Sequence, residues 1–170
     1  MLADPVLLTV LAYAHILSAV GWLGGGLLTA FVVGPSLQSL APGSRLEFMA
    51  KVMPRIIRYV EGMVAGTLLF GLLLLYFLVD GDFSALSPST SFGAAISAGM
   101  VMAVLTTALV FTVTVPSFNK VVKIAGELLK SGGQPPPEFQ KYARRARLGS
   151  VAGAVLLVLV LACMVAAGSY

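Results

Sequence analysis

Long apolar runs dominate the chain, and polar positions fall between them. Four runs, at about 5–33, 56–79, 92–115 and 148–168, are long enough to cross a bilayer. A spanning helix needs roughly 20 mostly apolar residues, so the pattern predicts four transmembrane helices. Between the first two runs the period changes. In "SRLEFMAKVMPRIIRY" (44–59), Lys51, Arg55 and Arg58 share one helical face, and Leu46, Met49, Met53 and Ile56 share another. This amphipathic pattern predicts a cytoplasmic interfacial helix over about 44–55, with Ser44 as N-cap and Glu47 three residues on. After the third run, "NKVVKIAGELLK" (119–130) continues that helix beyond the membrane, and "SGGQPPP" (131–137) breaks it.

The pattern also recurs. The first run ends "FVVGPSLQ" (31–38) and the third ends "FTVTVPSFN" (111–119). The second contains "VAGTLLFGLLLL" (64–75) and the fourth "VAGAVLLVLVLA" (151–162). This reads as two helical hairpins in parallel repeat, with "SGGQPPP" as an insertion in the second. The glycine pairs Gly21/Gly25, Gly62/Gly66 and Gly149/Gly153 each sit one turn apart, spaced for close helix packing within a bundle or between subunits.

Composition agrees with the hydropathy. Of 170 residues, 58% are hydrophobic and 11% charged, against roughly a quarter charged in soluble proteins. The expectation is one all-α transmembrane domain over 1–170, an integral membrane four-helix bundle. The first run lacks a basic leader and is too long for a signal peptide, so it is expected to stay as a span. Charge sets the orientation. All eleven Lys and Arg lie between runs one and two, with Arg58 at the very start of run two, or between runs three and four. The positive-inside rule then puts both termini outside, in the cell (inner or plasma) membrane. The basic loops imply contact with anionic lipid headgroups at the cytoplasmic face rather than with nucleic acid. The single cysteine, Cys163, excludes an intrachain disulfide.

Chemistry concentrates in the first run, at "AHILSAVGWLGGGLL" (14–28). It holds the only histidine, His15, and the only tryptophan, Trp22. At 1.5 Å per residue from Pro5, His15 lies about 15 Å deep, close to mid-membrane. An ionisable group there faces protein, water or a ligand. His15, Ser18, Trp22, Gly25 and Thr29 form one stripe, small apart from Trp22. Three readings follow: a neutral imidazole bonded to another helix, for instance at Thr106 or Thr107; a haem or metal ligand; or a proton relay.

A haem ligand needs imidazole on iron and room for a porphyrin, and glycines beside the histidine provide room. With no second histidine, a bis-histidine site requires a symmetry axis between subunits. The thioether candidates at matching depth are Met100 and Met102 on the third run, and imidazole with thioether would also suit copper(I). Glu61, just inside the second run, has Arg58 one turn earlier as a possible ion-pair partner. No carboxylate pair, zinc spacing, nucleophile with base or phosphate loop is present, so an enzymatic activity has no signature here.

The pattern His15, Trp22, Gly24, Gly25 resembles the first helix of the CopD-like superfamily of small four-helix membrane proteins. It is also similar to that of HemJ-type membrane protoporphyrinogen oxidases, whose first-helix histidine binds haem b. "VPSFN" (115–119) resembles a Pro-x-x-Asn helix end in related small families. The resemblance implies His15 as the haem or metal ligand. The expected function is therefore haem b binding, or less favourably copper binding, with a redox or electron-transfer role. The alternative is an oligomeric channel, transporter or scaffold without a cofactor.

Overall fold

A computed structural model describes residues 4–168, all of its regular structure helical. Helix α1 (Pro5–Leu27) starts where Asp4 accepts the Val6 amide at 2.8 Å and Pro5 takes the first helical position. It continues through a π-helical turn, Leu28–Val33, into α2 (Gly34–Ser39). The cause of the π-turn is Pro35. Proline has no N–H, and its ring crowds the carbonyl four residues back. The chain widens instead, and the Gly34 amide donates to the Thr29 carbonyl five residues back. A second π-turn, Val110–Thr114, stands between α5 (Ser91–Leu109) and α6 (Val115–Ser131). There the Val115 amide donates to the Val110 carbonyl, and Pro116 follows.

Between these lie α3 (Pro42–Lys51) and α4 (Met53–Leu78), and α7 (Pro137–Ala167) closes the chain. Helix α3 corrects the expected cap. It begins at Pro42, whose fixed φ suits the first helical position, so Ser44 lies inside the helix and caps nothing. Helix α6 ends at Gly132, whose φ of 69° is a left-handed conformation open to glycine. The loop between α4 and α5 carries a 3₁₀ turn, Phe83–Leu86, capped by Asp82. Hydrogen bonds from the Ser84 hydroxyl and amide hold the Asp82 carboxyl below its ordinary range.

Four helical stretches are long and apolar enough to cross a membrane: Pro5–Ser39, Pro42–Leu78, Ser91–Ser131 and Pro137–Ala167. The protein is a multi-pass membrane protein with an all-helical fold. Helix α1 packs along α4, and α5 along α7, each pair antiparallel; the pairs meet through α1 and α7 and through α6 with α3 and α4. The core descends in layers. Trp22, Val64, Val110 and Leu157 bring one residue from each span to a common crossing. Below it lie Leu37, Met53 and Ile57, and then Val121, Ala125 and Phe139.

The lowest layers account for α3. Its Leu46, Met49 and Ala50 pack on the α6 cluster, and Phe48 on the cluster around Met53. The apolar face of α3 is thus partly covered by protein. Arg45 fastens the turn before it: Nε donates to the Leu37 carbonyl at 2.7 Å and a terminal nitrogen to the Gln38 carbonyl at 2.8 Å. The guanidinium thereby occupies carbonyls left open at the end of α2. Outward-facing Tyr13, Leu17, Val20, Leu72, Val104 and Leu159 are exposed and make the surface apolar, as lipid contact requires.

Candidate functional site at His15

Glycines on α4 set the position of His15. A Cβ on Gly71 would stand 2.7 Å from His15 Cε1 and 2.8 Å from Nδ1. One on Gly66 would stand 2.6 Å from Ser18 Oγ. Only glycine lets α4 come this near to these two side chains. On the facing helix, Gly21 lies under Met63 and Tyr59, and Gly25 under Tyr59 and Val60. Of the glycine pairs seen in the sequence, Gly21, Gly25 and Gly66 are used between α1 and α4, Gly149 and Gly153 face the second π-turn, and Gly62 faces open space.

At this interface His15 Nδ1 lies 2.9 Å from the backbone carbonyl of Thr67. A carbonyl only accepts, so Nδ1 carries the hydrogen and donates it. Thr67 is a local anchor too, its hydroxyl donating to the Met63 carbonyl at 2.7 Å. His15 makes no other hydrogen bond among the described residues, and its Nε2 is not sealed from the surface. Nε2 is thus a lone-pair donor without a protein partner, on a ring whose tautomer and orientation are set from behind. Metal-binding imidazoles are commonly held in this way.

The expected hydroxyl partners of His15 are not its partners. Thr106 and Thr107 donate to their own helix, to the Met102 carbonyl at 2.7 Å and the Ala103 carbonyl at 2.8 Å. Trp22, two turns below His15, is 2% exposed and belongs to the four-helix crossing. Gly25 lies another turn down, against Tyr59 and Val60. Met100 and Met102 are half-buried on α5, whose main packing partner is α7. The structure therefore joins His15, Ser18 and Gly25 to α4 and leaves the two methionines on the other helix pair. Arg58 and Glu61 form no ion pair. Arg58 Nε turns to the Pro54 carbonyl at 3.4 Å, and the ion pair that forms nearby is the exposed Lys51–Glu47, at 2.6 Å. The four-residue spacing of that pair suits a helix surface.

Two features went unread in the sequence. One is a cavity of about 60 Å³ at the crossing, between Trp22, Thr29, Val60, Thr114 and Ser150. It does not include His15, and it is far below the roughly 300–1,000 Å³ of small-molecule sites. The other is a wide groove between the second π-turn and α7, of about 770 Å³. The prolines beside the two π-turns were the available signal for the cavity, and Pro116 alone for the groove. Among the described residues no three His, Cys, Asp or Glu side chains cluster as a metal site. No protein-family model, no curated protein and no solved structure matches the chain.

Proposed function

We propose that this protein binds haem b in the membrane through Nε2 of His15 and serves a redox or electron-transfer role. The observation that carries the reading is the single bond from Nδ1 to the Thr67 carbonyl, which fixes the ring and leaves Nε2 open. The residues fit one axial ligand. Thr67 holds the tautomer, and Gly71 gives the ring a flat, close seat. A haem iron would supply one-electron chemistry there. Met100 and Met102 sit on the other pair, so His15 is the residue of this chain that would hold the group. Copper(I) on the same nitrogen is an outcome that metal analysis distinguishes.

The reading includes both termini outside and the basic loops inside the cell membrane, on the charge distribution. It also includes a tandem repeat of hairpins. The two i→i−5 bonds, Gly34 to Thr29 and Val115 to Val110, are both 81 positions apart, as are Pro35 and Pro116. The rival, a scaffold assembled through its glycine faces, retains Gly24 and Gly62 as open positions, whereas Gly21, Gly25, Gly66 and Gly149 are covered within the chain.

The test is the visible spectrum and metal content of the purified protein. We expect a Soret band that His15→Ala abolishes while far-ultraviolet circular dichroism stays helical. A colourless, metal-free protein, or a band that survives His15→Ala, overturns the assignment.

A further inference from the structure

We propose that the groove between α5, its π-turn and α7 seats one anionic phospholipid at the membrane edge. This rests on the membrane placement of the helices and not on haem binding. The groove has two chemically distinct ends. Lys141, Arg144 and Arg145 line one. Leu109, Val113 and Leu148 line the other. They meet where α7 passes from its last charge, Arg147, into its apolar run.

Small residues make the groove. Gly149 and Ala152 form its floor on α7. Gly149 lies so close to Thr114 that a Cβ would collide with that hydroxyl. The π-turn before Pro116 widens the facing helix at the same level. The resulting volume, about 770 Å³, is large enough for a headgroup and the first carbons of its chains.

Charge selects the occupant. None of Lys141, Arg144 and Arg145 makes an ion pair or side-chain hydrogen bond among the described residues. No acid lines the groove. The nearest on the same helix is Glu138, one turn beyond Lys141 and exposed. Arginine pairs well with phosphate oxygens through two parallel donors. Three cations beside an apolar wall match a phosphodiester joined to acyl chains. A free phosphate would leave the wall unused, and a zwitterionic headgroup would bring its own cation against the three.

The test is native mass spectrometry of the full chain from mixed micelles, with dioleoylphosphatidylglycerol against dioleoylphosphatidylcholine. We expect one phosphatidylglycerol retained per chain in preference to phosphatidylcholine. Each basic group near an anionic surface is worth about a fivefold gain. The variant K141Q/R144Q/R145Q should therefore lose roughly 100-fold in preference. The variant K120Q/K123Q/K130Q removes the same charge from α6, outside the groove, and should keep the preference. Ala152→Trp fills the apolar half and should weaken retention with every cation in place. Equal losses in both triple variants, no effect of Ala152→Trp, or displacement of the lipid by equimolar glycerol 1-phosphate each overturn the proposal. The visible spectrum is independent of all these outcomes, so failure here and failure of the haem reading are told apart.

Discussion

Replacing Gly71 by alanine perturbs His15 without touching it. The added Cβ would lie 2.7 Å from Cε1 and 2.8 Å from Nδ1 of the ring. Ordinary contact begins near 3.4 Å, so ring or helix must retreat by about 0.7 Å. The ring cannot retreat freely, because Nδ1 is bonded to the Thr67 carbonyl at 2.9 Å on the same helix. Overpacking of this kind costs about 1–3 kcal/mol. A lost interhelical hydrogen bond within a membrane adds about 0.6 kcal/mol. Against this, alanine is favoured over glycine in a helix by up to about 1 kcal/mol. The net expectation for Gly71→Ala is a loss of about 1–2 kcal/mol. In a His15→Ala background the obstacle is gone, and the same substitution should be neutral or stabilising. The two sites should thus couple by about 2 kcal/mol, within the range of residues in contact. Denaturation in mixed micelles, followed by fluorescence of Trp22, measures this, since the indole is buried where all four spans meet. Gly62→Ala is the control, because a Cβ there meets nothing within 4 Å. If Gly71→Ala costs as much without His15 as with it, the glycine is not the seat of the ring.

Two further outcomes follow from the same geometry. Gly149→Ala drives a Cβ into Thr114, whose place in the π-turn limits its retreat, so a loss of about 1–3 kcal/mol is expected, largely recovered in a Thr114→Ala background; equal losses in both backgrounds would refute the contact. A cysteine placed at Ser84, in the 3₁₀ turn of the loop between α4 and α5, with Cys163→Ala, should label from outside intact cells; labelling only after permeabilisation would reverse the orientation.

Hydropathy sufficed for the number and place of the spans, because every stretch in contact with hydrocarbon must be apolar and internally hydrogen-bonded whatever its neighbours are. The glycine spacings and the repeated Pro-Ser element were equally legible, as local features. Partnership was not. His15 could be placed on a stripe and at a depth, but helical periodicity does not say which helix the stripe meets. The close fit of Gly66 and Gly71 decides for α4, and with it the bond to a backbone carbonyl that no side-chain motif encodes. The same limit explains Met100 and Met102, whose matching depth says nothing of distance across the bundle. It explains Arg58, whose spacing to Glu61 allowed a pair but whose guanidinium reaches a backbone carbonyl instead. It also explains α3, whose amphipathic pattern is the same whether lipid or α6 covers the apolar face. Sequence by itself determined which surfaces had to be apolar, because burial in lipid and burial in protein ask for the same residues. Only the tertiary structure decided which of those surfaces face each other, because that depends on the close approach of backbones far apart in the chain.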